Sequence, residues 1–282
     1  MTTPNQANTP QRRDAPRTYS WPPMPPHEFE VISVTSAIKG GLPTPHLIGW
    51  AAKVTAQAAI DDHDLVTAML AKKNGEKMAL DHLKGTRFRD MSDKADRGTI
   101  VHAALEAHLA GKPMTQETVE EQLVELKVPQ HLWKSTAAMI VGVMEFLDRF
   151  EPDVIWSEQT VYSRTHGYAG TPDILCRVKI GDSIVPAIVD VKTSKSIYDE
   201  VGLQMVAYAN ADFVGLDDGT EAPLVPGHDG PIEYGIAVRP TASGQFEAVT
   251  FTLGDPRLFE LFLGCLKVST MKEAMADARR PS

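Results

Sequence analysis

Two short stretches hold the residues best suited to chemistry: Gly170-Thr-Pro-Asp173-Ile-Leu and, further on, Val189-Asp190-Val191-Lys192-Thr193-Ser194-Lys195. On a strand, Asp190 and Lys192 point to one face and Val189 and Val191 to the other. The run Ala187-Ile188-Val189 places this strand in the core, where a charge without a partner is expensive. Asp173, on a neighbouring hairpin strand, is a suitable partner. Two carboxylates on adjacent strands repel each other unless a cation sits between them, and their hard oxygens suit Mg²⁺ or Mn²⁺. The chemistry that fits is hydrolysis of a phosphodiester, in which the cation polarises the ester and lowers the pKa of a bound water. Lys192 would position that water and offset charge developing on the phosphate. Taken alone, a D-x-K tripeptide is a weak motif and reads first as a structural Asp–Lys pair at a strand end.

Further residues stand at spacings that could serve the same site. Gln204 and Tyr208 are four apart, on one face of a helix, and so are His102 and Glu106. A histidine on an apolar helix also reads as a packed, hydrogen-bonded core residue. The run Asp61-Asp62-His63-Asp64 has metal-like composition, but consecutive helical residues point in different directions, so it reads as a solvated face or a helix junction.

The elements that must position these residues follow from periodicity. Residues 1–28 are rich in Pro, Thr, Asn and Gln and read as a disordered tail. Order is expected to begin near Phe29, with Val31, Ile32 and Val34 leading into a Gly- and Pro-rich turn. A helical part follows over 29–150, with helices expected over Trp50–Ile60, Leu65–Leu80, Lys94–Ala110 and Leu132–Phe150. Thr118 and Glu121 suggest a capping box for one more helix before Pro129. At Pro152 the period changes. Strands are expected over Val154–Tyr162, Gly170–Ile180 and Ile184–Lys192, then a helix over Ile197–Phe213. A loop over Gly215–Pro231, strands over Ile232–Val238 and Gln245–Phe251, and a helix over Pro256–Ala276 complete the pattern. The arrangement is α/β with a mixed central sheet flanked by helices, forming one domain over 29–282 whose core is 151–282.

Composition narrows the function classes. At 282 residues, 43% hydrophobic and 23% charged, the chain has the balance of a globular protein with a sizeable core. No apolar run reaches the length of a membrane span, and the N-terminus lacks the apolar stretch of a secretory signal, so a cytoplasmic protein is expected. Cys176 and Cys265 read as small buried hydrophobes; two cysteines cannot hold a four-thiolate iron–sulfur cluster. A formal net charge of −9 argues against coating nucleic acid through bulk electrostatics. Only between Ala71 and Arg97 does the sign reverse, through Lys72, Lys73, Lys77, Lys84, Arg87, Arg89, Lys94 and Arg97. That run is either a solvated face or a local basic groove.

Together, the motifs Arg97-Gly98-Thr99-x-x-His102, Gly167-Tyr-Ala-Gly170-Thr-Pro-Asp173, Asp190-x-Lys192-Thr-Ser and Gln204-x-x-x-Tyr208 resemble, in type and order, the RecB-like branch of the PD-(D/E)XK nuclease superfamily, in particular its phage-encoded and CRISPR-associated exonucleases. The resemblance spans roughly Val34 to Tyr208. It implies a restriction-endonuclease-like core and a Mg²⁺- or Mn²⁺-dependent DNA exonuclease. In it His102, Asp173, Asp190 and the backbone carbonyl of Val191 would hold the metal, Lys192 would be the catalytic lysine, and Gln204 and Tyr208 would orient the site or the strand. Glu158 lies near where the family often places an acidic residue, and Glu106, one turn from His102, would reach the metal through water or stay on the surface. The resemblance further implies single- or double-stranded DNA ends as substrate in phage-type recombination or repair, a recombination or single-strand-annealing partner, and an oligomer. Lacking the cysteines, the chain matches the members without an iron–sulfur cluster. A catalytically silent nucleic-acid-binding or scaffolding protein of the same fold is the alternative.

Overall fold

The computed structural model describes residues 17–20, 30–271 and 278. The expected tail over 1–28 lies outside the described residues except at 17–20, where the chain is a strand rather than a loose segment. In chain order the elements begin β1 (Thr18–Ser20), β2 (Glu30–Ser33), α1 (Val34–Gly41), α2 (Pro45–Asp61), α3 (His63–Leu70), α4 (Gly75–Leu109), α5 (Gln116–Glu125) and α6 (Gln130–Phe150). They continue β3 (Asp153–Ser157), β4 (Thr160–Ser163), β5 (Tyr168–Gly170), β6 (Ile174–Ile180), β7 (Ser183–Val191), α7 (Glu200–Ala209) and β8 (Phe213–Gly215). Last come β9 (Glu221–Ala222), β10 (Tyr234–Pro240), β11 (Phe246–Thr252) and α8 (Pro256–Thr270). Among the described residues no helix is long and apolar enough to cross a membrane.

The fold is α/β, but the strands form two mixed sheets where the sequence suggests one. One sheet runs β1-β2-β5-β4-β8-β9 and the other β11-β10-β7-β6-β3. The reason lies in two segments that read as single strands and are not. The stretch expected over Val154–Tyr162 breaks at Glu158, whose φ of 51° turns the backbone into the left-handed region. The stretch expected over Gly170–Ile180 breaks at Thr171-Pro172-Asp173, where proline has no N–H to give a ladder. Both breaks fall opposite each other: below them Ser157 pairs with Ile174 in one sheet, and above them Val161 pairs with Gly170 in the other. One antiparallel pair of strands is thus bent and shared between the sheets, and Glu158 N–H···O=C Asp173 at 3.0 Å bridges the bend.

The five-stranded sheet is covered on both faces. Ile174, Cys176, Val178, Ala187, Val189 and Val191 meet Val101 and Leu105 of α4 and Val143, Phe146 and Leu147 of α6. Leu175, Ile188 and Ala237 face the other way, onto Val201, Met205 and Val206 of α7, Phe262 and Leu266 of α8, and the inner face of the six-stranded sheet. The period-2 alternation of β7 is therefore as its sequence suggests, with Asp190 on the Ile188 face. Both cysteines are buried and unpaired, as small hydrophobes are.

The helical half departs from expectation in continuity. Gly75–Leu109 is one helix of 35 residues, about 52 Å long at 1.5 Å per residue. No proline interrupts it, and Asn74, at φ 65°, separates it from α3. Helices α2 and α3 pack on it, and its first half leaves Met78, Leu80, Phe88 and Met91 exposed, which erases the amphipathic pattern. Its second half docks on α6 through Arg97, which donates to Thr136 Oγ1 and Ser135 Oγ, each at 3.2 Å. Asp62 sits at the α2–α3 junction and pairs with His82 of α4 (2.7 Å), so the acidic run there is a helix junction. Helix α5 starts a turn before its expected capping box: Thr115 Oγ1 accepts the Thr118 N–H at 3.2 Å.

Where β5 meets α7 the approach is too close for a side chain. A Cβ on Gly170 would lie 2.4 Å from Tyr208 Cε1 and 3.2 Å from Val34 Cγ2. Gly170→Ala is expected to cost about 1–3 kcal/mol of stability, the range for forcing an extra carbon into a packed core. A denaturant midpoint equal to that of the unaltered chain would show that the Tyr208 ring yields freely.

Candidate metal centre

The candidate site is built on the bend that divides the sheets. Pro172 ends β5, so Asp173 enters β6 with its side chain free to turn back along the neighbouring strand. Its Oδ2 accepts the Val191 N–H at 2.5 Å, covering a donor at the last residue of β7, and its Oδ1 lies 3.1 Å from His102 Nδ1. His102 reaches this point because Val101 and Leu105, on either side of it along α4, are fully buried against the sheet. The helix comes so close that a Cβ on Gly98 would stand 3.2 Å from Thr193 Oγ1, just past the strand end. Glu158, at the opposite break, brings Oε1 to 3.9 Å from His102 Nδ1. One ligand atom from each of His102, Glu158 and Asp173 lies within 4.8 Å of the others. Ligands about 2.1 Å from a small hard cation stand at most about 4.2 Å apart, so this cluster is close to the required size.

Asp190 and Lys192 stand beside the cluster as the alternation of β7 requires. Lys192 Nζ is 2.5 Å from Asp190 Oδ2 and donates to Gln204 Oε1 at 3.1 Å; Gln204 Nε2 in turn donates to the Tyr208 hydroxyl at 2.7 Å. Asp190 Oδ2 is fully buried, and the Lys192 ammonium beside it is the cation that faces it. A buried ion pair still carries a desolvation cost that its own attraction need not repay. With the His102–Glu158–Asp173 group it is what a divalent cation would resolve, and the donors, mostly carboxylate with one imidazole, suit Mg²⁺ or Mn²⁺.

The electrostatics separate the carboxylates. Burial alone would raise Asp173, but the charge and hydrogen bond of His102, then Lys192 and the Val191 N–H, hold it below its ordinary value. For Asp190, equally buried and facing Asp173, burial outweighs the charge and hydrogen bond of Lys192 and the smaller pull of His102, and it is pushed up. Burial and the Asp173 charge lift Glu158 to about 7. For His102, burial pulls the pKa down, but Asp173, with Glu158 and Asp190 beyond it, outweighs burial and raises it to about 9. Without metal, then, the site favours the protonated forms of His102 and Glu158 more than ordinary surroundings would. The Nδ1 proton of His102 is assigned from its proximity to Asp173 Oδ1.

The structure thus brings together His102, Asp173, Asp190, Lys192, Gln204 and Tyr208, all six from the sequence motifs. Val191 enters through its N–H to Asp173. Glu158 joins the cluster from a break rather than from the strand expected there. Glu106 stays exposed and outside the cluster, though its charge contributes to raising Glu158. Arg97, counted among the basic residues, is turned inward onto α6 and is not part of a basic surface. Thr171 and Tyr19, which border the site, carry no sequence signal that singles them out. A depression of about 450 Å³ lined by His108, Leu147, Asp148 and Glu151 lies elsewhere on α4 and α6 and includes none of the cluster. Comparison with protein-family models finds no match to this chain, and comparison with curated proteins finds none either.

The protons set a test. His102 and Glu158 each have a folded pKa above the ordinary value, from 6.5 to about 9 and from 4.5 to about 7. Such groups favour the folded state below the ordinary value, and that contribution is lost as pH rises through the folded one. In EDTA, stability should therefore fall between roughly pH 4.5 and 9, through Glu158 up to about 7 and through His102 from about 6.5 to 9, and His102→Ala should flatten the upper part of that fall. Mn²⁺ needs the same groups deprotonated, so its stabilising shift in Tm should be larger near pH 8.5 than near pH 6. Thermal melts with an equal Mn²⁺ shift at both pH values would remove His102 and Glu158 from the ligand set.

Proposed function

We propose that the chain is a metal-dependent deoxyribonuclease of the PD-(D/E)XK type, with a restriction-endonuclease-like core, acting as an exonuclease on DNA ends in phage-type recombination or repair in the cytoplasm. The observation that carries this reading is the convergence of four short motifs, spread from residue 97 to residue 208, on one bend between two sheets. A structural Asp–Lys pair would need no histidine at 3.1 Å from a second carboxylate and no Lys–Gln–Tyr chain behind it. The retained Asp173, Asp190 and Lys192 weigh against a silent scaffold, which needs none of the three.

In this reading His102, Asp173, Glu158 and Asp190, with the Val191 carbonyl, hold Mg²⁺ or Mn²⁺. The bound cation supplies polarisation of the phosphodiester and a water of lowered pKa. Asp173 is fixed by the Val191 N–H, so its second oxygen presents one direction only. Lys192, drawn to Asp190 and donating to Gln204, keeps its ammonium at the edge of the cluster, where it orients the attacking water and offsets charge on the phosphate. Gln204 is held in turn by Tyr208, whose hydroxyl burial keeps protonated well above its ordinary range. That chain of two hydrogen bonds limits the rotamers of a long flexible side chain and so pre-organises Lys192.

The basic face of α4 fits the approach of DNA. Lys84, Arg87 and Arg89 are exposed, with the Arg87 guanidinium 4.5 Å over the Phe88 ring. Double charge reversal, Arg87→Glu with Arg89→Glu, should weaken DNA binding and lower the slope of log K against log salt by about 2. An unchanged slope would take this face out of the footprint.

The direct test is digestion of end-labelled single- and double-stranded DNA with Mg²⁺, with Mn²⁺ and with EDTA. Cleavage should require the metal and should fall by about 10² or more in Lys192→Ala, the order found when one charge-stabilising donor is removed. A folded, DNA-binding wild type that cleaves under neither metal would leave a binding protein in its place.

A further inference from the structure

Strand β1 comes from a Pro-rich stretch, yet it is docked firmly on the site side of the molecule. It pairs antiparallel with β2, Tyr19 opposite Val31. Its start is tied down by Ser33 N–H to Arg17 O at 2.8 Å and by Arg17 N–H to Ser36 Oγ at 3.0 Å, at the N-terminal turn of α1. This brings the Tyr19 hydroxyl to 3.3 Å from Thr171 Oγ1, which lies 3.1 Å from Thr160 Oγ1. Thr171 is two residues before Asp173 and Thr160 two residues after Glu158. The three hydroxyls therefore line the same bend as the cluster, one step outward from it on both strands.

Arg17 completes the arrangement. Its guanidinium lies 4.9 Å over the Tyr19 ring, the residue is exposed, and among the described residues no carboxylate pairs with it. The stack costs the cation little of its hydration, since an arginine over a ring face at an exposed site gains on the order of 1 kcal/mol. Past Thr171, two residues on, the cluster carries the carboxylates of Glu158, Asp173 and Asp190, whose charge opposes the approach of a phosphate backbone. A strand reaching those carboxylates needs cations along its path, and a planar guanidinium matches phosphate through two parallel N–H···O bonds.

We propose that Arg17 and Tyr19 form a backbone clamp for the nucleic-acid strand entering the site: Arg17 takes a phosphate next to the scissile one, and the Tyr19 hydroxyl, backed by Thr171, sets the distance of the strand from the cluster. This rests on the nuclease reading above. Arg17 is a binding residue and Tyr19 a positioning residue; neither touches the reacting atoms.

The experiment uses the full chain and fluorescent oligonucleotides. Binding is measured over a salt series, in EDTA and, with Mg²⁺, in the Lys192→Ala background where the DNA stays intact; cleavage rates are measured with Mg²⁺. Arg17→Ala should bind roughly fivefold more weakly and lower the salt slope by about 1, and Arg17→Lys should restore the slope by keeping the charge. Tyr19→Phe should leave the slope alone and raise KM about threefold, with a smaller effect on kcat. Thr18→Ala, on the other side of β1, controls for loosening of the strand and should change neither quantity. Arg17→Ala with wild-type affinity and slope overturns the clamp, as does Thr18→Ala reproducing its effect. If the wild type binds DNA but does not cleave it, the nuclease reading falls, and the slope of Arg17→Ala still decides the clamp. A wild type that binds no nucleic acid overturns both.

Discussion

The architecture turns on one buried aspartate held from three directions, two of them at its carboxylate. Asp173 gives Oδ2 to the Val191 N–H, faces His102 with Oδ1, and offers its carbonyl to the Glu158 N–H. Each contact belongs to a different element, so Asp173 fastens the end of β7, the second half of α4 and the break between β3 and β4 to one point. A buried carboxylate without such partners would cost several kcal/mol or take up a proton. Burial is tolerated here because the carboxylate's donors are already required: one at a strand end and one on a helix docked by its neighbours.

The bend itself stores cost. A non-glycine residue in the left-handed region costs about 1–2 kcal/mol, and Glu158 adopts φ 51° in the same place where its carboxyl is pushed up to about 7. Two unfavourable features on one residue are not what stability alone would select. They are consistent with a backbone turned to aim a side chain rather than to complete a ladder, which is where strain concentrates in functional sites. The opposed pKa directions of Asp173 and Asp190 carry the same meaning, since similar burial yields opposite results once the donors differ.

What the sequence made legible follows period and chemistry. The period-2 alternation of Ala187–Val191 correctly separates Asp190 from Val189 and Val191, and spacing of four puts Gln204 and Tyr208 on one helix face. The α/β order of elements was readable because the change of period at Pro152 is abrupt. Less readable was anything decided by long-range pairing. Nothing in Glu158 marks it as the point where a strand changes sheets. The three residues of β1 are too few for a period and sit among prolines. The first half of α4 exposes its apolar residues, so its continuity with the His102 half leaves no amphipathic trace. The start of α5 was misplaced because Thr115 and Thr118 are both good caps, and only the fold chooses between them. Arg97 reads as one more surface cation until α6 is packed against it.

Helix α4 is also a lever with a fixed fulcrum. Arg97, locked to Ser135 and Thr136, lies about 33 Å from the Gly75 end and about 8 Å from His102. Rocking about that point is geared down roughly fourfold between the far tip and the imidazole. The two carboxylates of the cluster ride on the bent strands instead and do not share the motion. A displacement of the exposed end would therefore reach the His102 imidazole reduced by that factor, while the bent strands that carry Glu158 and Asp173 stay where they are.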